Sequence, residues 1–278
     1  MSTAPIGFAD LLARPRAQAS VRIAYGPDPL QFGELWLPEG PGPHPTVAMI
    51  HGGCWRADLP GLELMDYAAE DLARRGLAVW NIEYRRLGHE GGGYPGTFLD
   101  IAAGLDHLRT LAQRHPVDLT RAALCGHSAG GHLAVWALAR ARLAKTSPLW
   151  SADPLLARGA VALAGIIDLA AYHVSGPDEC GGPGVIDALV GAGRRDGEVY
   201  ADTSPPSLLP IGARQVVVSG ALDYIVPSRF GADYGAAARK AGDEVEVVDF
   251  AGAGHFELID PTSAVWPDIY ARLARLLA

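Results

Sequence analysis

At 278 residues the chain suits one large α/β domain or two small ones, and a hydrophobic share of 49% is ample for a sizeable core. A formal net charge of −8, without a long run of either sign, leaves no basic stripe to hold phosphates and excludes nucleic acid as a partner. The longest apolar run, 160–167, stops at Asp168, far short of the roughly 20 residues a membrane span needs, which excludes a membrane helix.

The mixed stretch 1–20 holds Asp10, Arg14 and Arg16 without an apolar centre, so it does not read as a secretory signal. Cys54, Cys125 and Cys180 are too few and too scattered for a disulfide framework or a cysteine-type zinc site. A reducing cytoplasm is therefore the expected compartment. With 34 glycines and 21 prolines beside so much apolar residue, the chain reads as a loop-rich globular enzyme.

Hydrophobic runs alternate with longer amphipathic segments, the pattern of an α/β fold with a mostly parallel central sheet flanked by helices. In chain order, strands are expected at 21–25, 32–37 and 46–50, and a helix over 62–75 that ends at Gly76. A strand over 77–84 leads to a surface loop with glycines at 91–93, then a helix over 97–115 that Pro116 ends. A short strand at 121–126 and a strong helix at 129–143 follow, then strands at 161–167, 215–219 and 245–250 and a last helix at 264–277. No repeat or linker divides the chain, so 1–278 reads as a single domain. Between 171 and 212 the pattern breaks into Gly, Pro and charge around one short helix, 185–190, as a cap-like insertion over the carboxyl edge of the sheet would.

The strongest local signal is Gly126-His127-Ser128-Ala129-Gly130-Gly131, a G-x-S-x-G unit between a strand and a helix. A nucleophilic serine must stand on a sharp turn, and flanking glycines remove the Cβ atoms that would collide there. Serine needs a neutral imidazole to take its proton. Of nine histidines, His255 sits best, in a glycine-rich loop just after the last expected strand. The acid belongs between serine and histidine in chain order. Asp223, leading out of strand 215–219, is favoured; Asp168 is the competitor, and also reads as a helix cap before Leu169.

His51-Gly52-Gly53-Cys54-Trp55 follows strand 46–50, where backbone N–H groups of Gly53 and Cys54, joined by Ala129, are the expected oxyanion donors. His51 is expected to brace that loop. Trp55, His127 and His173 are the candidate substrate contacts.

Over nearly its whole length the sequence resembles the α/β-hydrolase superfamily, and within it the small carboxylesterase and arylformamidase branch. The segment His51–Trp55 looks like that of kynurenine formamidases. The run Glu83-Tyr84-Arg85-Arg86-Leu87 is similar to the tyrosine-arginine signature of that group and of hormone-sensitive-lipase-like esterases. Ser-Pro-Pro-Ser-Leu-Leu-Pro at 204–210 is also similar to an element there. The resemblance implies a small-molecule ester or activated-amide substrate, with no metal or organic cofactor. Ester hydrolysis is the first expectation, arylformamide hydrolysis the second, and a non-catalytic binding module the third. A homodimer through the last helix or an edge strand is compatible with the sequence.

Overall fold

A computed structural model describes residues 5–194 and 198–278; residues 1–4 of the N-terminal stretch and 195–197 of the expected insertion lie outside the described residues. The chain opens with helix α1 (Phe8–Leu12), strands β1 (Val21–Ala24), β2 (Phe32–Trp36) and β3 (His44–Ile50), helix α2 (Asp66–Arg74) and β4 (Ala78–Ile82). Helices α3 (Gly96–Asp106) and α4 (Leu108–Leu111) precede β5 (Val117–His127), α5 (Ala129–Leu138) and β6 (Gly159–Leu163). Then come α6 (Leu169–Ser175), α7 (Pro183–Val190), β7 (Arg214–Gly220), α8 (Ser228–Ala241), β8 (Val245–Phe250) and α9 (Trp266–Leu277).

The strands form one sheet in the order β1-β2-β4-β3-β5-β6-β7-β8. The pairs β1–β2 and β2–β4 are antiparallel, and every pair from β4 to β8 is parallel. Helices cover both faces, which explains the apolar runs at the centre of the sheet, 47–50, 122–125 and 159–163, where the parallel strands are buried on both sides. On β3, Val47 and Met49 enter one core and Ala48 and Ile50 the other, as a side-chain period of two requires. The first core takes Leu72 of α2 with Ile269 and Leu273 of α9; the second takes α3, α5 and α8. Helix α9 buries Trp266, Ile269, Leu273, Leu276 and Leu277, a spacing that keeps one stripe against the sheet. No helix among the described residues is long and apolar enough to cross a membrane.

Several boundaries differ from those expected. The helix expected at 97–115 breaks at His107, because Trp80 Nε1 donates to the Gly104 carbonyl at 2.8 Å and diverts it from the helical ladder. The helix expected at 129–143 stops at Leu138, and the buried Arg140 guanidinium turns back to Asp106 at 2.6 Å. Strand β6 ends at Leu163 because Ala164, at φ 47°, turns the chain out of the sheet. Helices α1 and α8 had no expected counterpart.

Candidate active site

Four loops that matter here all leave the carboxyl ends of parallel strands, the edge where α/β sheets place their ligands. They follow β3 (His51 to Trp55), β5 (Ser128), β7 (Asp223) and β8 (His255).

Ser128 stands at φ 55° and ψ −120°, a left-handed backbone that a non-glycine residue adopts only where the surroundings enforce it. The enforcement is visible on both sides. A Cβ on Gly126 would lie 2.0 Å from the Gly130 carbonyl, and one on Gly130 would lie 2.1 Å from that of Ile50. Only glycine at both positions lets β5 turn this sharply into α5. The first-turn N–H of Ala129 has no intrahelical partner, and the positive end of α5 adds to its pull on negative charge.

His255 Nδ1 lies 2.6 Å from Asp223 Oδ2, and both side chains are buried. The other oxygen, Oδ1, accepts from the backbone N–H of Ile225 and of Val226, each at 2.8 Å. The imidazole and two backbone N–H groups therefore converge on one carboxylate and hold it in place. The competitor is used elsewhere: Asp168 accepts from Ala171 N at 3.0 Å and caps α6. The His255 loop is anchored from the N-terminus, since Glu257 accepts from both Ile6 N and Gly254 N.

Ser128, His127, His255, Gly53 and Cys54 line one cavity of about 120 Å³. Ser128 makes no side-chain hydrogen bond among the described residues. Free enzymes often tighten such contacts only once substrate is bound.

The loop after β3 is held by the Glu-Tyr-Arg-Arg run after β4. His51 Nδ1 lies 2.7 Å from the Gly52 carbonyl oxygen and its Nε2 lies 3.0 Å from Glu83 Oε1. Tyr84 stacks on His51 and donates to its carbonyl at 2.9 Å. Arg86 Nη1 donates to the carbonyls of Arg56, Leu59 and Pro60. Burial alone would raise the Glu83 carboxyl, but His51, Arg86 and the Tyr84 N–H lower it to about 2. So braced, the loop keeps Gly53, Cys54 and Trp55 at φ 97°, 48° and 54°.

Two sequence-based substrate contacts are corrected. Trp55 is fully buried, because the left-handed turn sends its indole into the core against His132. His173 pairs with Asp187 at 3.0 Å, joining α6 to α7, and is not part of the cavity wall. His127 does border the cavity, and it reaches His255 as well, with Nε2 3.0 Å from its carbonyl. Ala129 lies buried directly behind Ser128.

Cys54 and Cys180 form a disulfide across 126 residues, and Cys125 is free and buried. The three cysteines, expected to be too few and too scattered for a disulfide framework, thus still supply one bond, which removes the ground on which a reducing compartment was expected. The bond fastens the segment between α6 and α7 to the loop after β3. Wall residues the sequence did not reveal are Phe8, Leu59, Pro60, Leu64, Glu179, Ile225 and Phe256. Phe256 carried a signal, its place beside His255. Phe8 carried none, being brought in from the far end of the chain.

A family model described as BD-FAE matches residues 34–230. Esterase LipC of Mycobacterium tuberculosis is 27% identical over 254 residues, which cover 86% of this chain and 60% of LipC. The chain thus spans about three fifths of the length of that relative. Esterase B from Lactobacillus rhamnosis has a TM-score of 0.77 at 19% identity, with 97% of this chain and 91% of that one covered. A bacterial heroin esterase has a TM-score of 0.70 at 23% identity, covering 93% of this chain and 84% of its own. At such identities the structural likeness speaks for the fold alone.

Proposed function

Starting from a chain that belongs to the BD-FAE family and has the α/β-hydrolase fold, we propose that it hydrolyses a carboxylic ester of a small or medium substrate through Ser128, His255 and Asp223. The reading is carried by one observation. His255, paired with Asp223 at 2.6 Å, borders the same cavity as a serine held on a strained turn.

In this reading His255 takes the Ser128 proton as Oγ attacks the ester carbonyl. Asp223 fixes the tautomer with Nδ1 protonated and stabilises the imidazolium that forms. Backbone N–H groups of Gly53, Cys54 and Ala129 hold the developing oxyanion. The imidazolium then gives its proton to the leaving alcohol, and water repeats the cycle on the acyl-enzyme. The cavity is small beside the roughly 300–1,000 Å³ of drug-sized pockets, and Phe8, Leu59, Pro60, Leu64, Ile225 and Phe256 make it apolar. A short acyl group suits it.

The test is a panel run on wild type and Ser128→Ala together, with p-nitrophenyl acetate, p-nitrophenyl octanoate and N-formylkynurenine. Fast turnover of the acetate by wild type alone supports the reading. A far larger kcat/KM on the formamide would replace ester hydrolysis with arylformamide hydrolysis. Equal rates in both proteins would overturn the assignment of Ser128.

A further inference from the structure

Cys180 closes a short 3-10 turn, Asp178–Cys180, and its bond to Cys54 holds that turn against the loop after β3. Cys180 itself is buried, while its neighbour Glu179 is exposed and borders the cavity shared by Ser128 and His255. Glu179 is the one carboxylate in that wall, whose other members are His127, His255, Ser128, Gly53, Cys54 and six apolar residues. Among the described residues it makes no hydrogen bond or ion pair. The nearby cation, Arg56, approaches Gly181 but is engaged by Asp58 through Nε and Nη2.

An uncompensated carboxylate in this place has two consequences. Apolar walls strengthen its attraction for a cation that enters the cavity and its repulsion of an anion. It also stands close to the loop proposed to hold an oxyanion, where a fixed negative charge opposes the reaction of a neutral ester. A positive charge on the substrate relieves that opposition.

We propose that Glu179, held in place by the Cys54–Cys180 bond, is a specificity-determining residue that favours esters carrying a positive charge and disfavours anionic ones. This rests on the ester-hydrolase reading above. The mouth is open to solvent, so the effect is screened, and roughly a three- to tenfold preference in kcat/KM is expected.

The experiment compares acetylcholine, its neutral carbon isostere 3,3-dimethylbutyl acetate, and the anion acetoxyacetate. Wild type is expected to prefer them in that order, with the preference shrinking as salt rises from about 20 mM to about 500 mM. Glu179→Gln should bring the cationic-to-neutral ratio close to one and raise turnover of the anion. Cys180→Ala should lower the same ratio with Glu179 still present; the ratio does not depend on the fraction of active protein, so partial misfolding does not blur it. A wild-type ratio of one, or a ratio unchanged in Glu179→Gln, would overturn the role of Glu179. A wild-type ratio in Cys180→Ala would overturn the role of the disulfide. Failure of the hydrolase reading itself looks different: the neutral ester would then not be turned over by wild type at all.

Discussion

The imidazole of His127 donates from Nε2 to the backbone carbonyl of His255 at 3.0 Å, so the residue before the proposed nucleophile grips the proposed base. A carbonyl only accepts, which fixes the proton on Nε2 and leaves Nδ1 buried and without a partner among the described residues. The rings lie 4.4 Å apart. Burial first, and the neighbouring His255 second, hold His127 well below the ordinary imidazole range. It stays neutral, and so does not repel the imidazolium that His255 is proposed to become.

His127→Phe should therefore lower kcat about tenfold while KM moves less than about twofold, since a neutral hydrogen bond of this kind contributes on the order of 1 kcal/mol to holding the base. His127→Gln, which carries an amide N–H in place of Nε2, should restore most of the loss. Steady-state kinetics on a short p-nitrophenyl ester separate the two. Equal kcat in Phe and Gln variants would show that shape alone matters.

Glu83 concerns the brace rather than the chemistry. Its carboxyl, lowered to about 2 from an ordinary 4.5, contributes stability that is present above pH 4.5 and lost as pH falls toward 2. Glu83→Gln leaves Arg86 buried without its counter-charge and takes the carboxylate away from His51. The variant should lose about 3–5 kcal/mol at pH 7. Denaturant unfolding should show the gap to wild type narrowing below pH 4.5. A gap that is constant down to pH 3 contradicts the ion-pair account.

Asp66 has the opposite sign. Burial, reinforced by Glu34, pushes its carboxyl up to about 7 from 3.8, against the pull of Arg16 at 3.3 Å. A folded-state value above the unfolded one means stability is complete below pH 3.8 and is lost as pH rises toward 7. Asp66→Asn removes that loss. Its stability relative to wild type should improve by about 2–4 kcal/mol between pH 4 and pH 8, read from urea midpoints at the two values. An unchanged difference would mean that Asp66 ionises as freely folded as unfolded.

Local chemistry explains what the sequence revealed and what it hid. The G-x-S-x-G unit was legible because Gly126 and Gly130 are demanded by backbone contacts within a few residues of Ser128. Asp223 was legible because it leaves the end of β7, a strand buried on both faces that announces itself as an apolar run, and His255 because it follows the valines of β8 in a glycine-rich loop. Helix α8 was hidden: Phe230, Tyr234 and Ala238 form its buried stripe, but Gly231 and Gly235 lie between them and thin the apolar period. The Cys54–Cys180 bond joins residues 126 apart through tertiary packing alone, which no spacing rule encodes. Trp55 was misplaced for a related reason. The direction of its side chain is set by a left-handed turn that Glu83, Tyr84 and Arg86 impose from another loop.

The most direct measurement is covalent labelling of the folded protein with a fluorophosphonate, followed by intact mass and peptide mapping. One adduct is expected, on Ser128, absent in Ser128→Ala and formed far more slowly in His255→Ala. No adduct on folded wild type, or equal labelling of Ser128→Ala, would contradict a serine activated by His255 and Asp223.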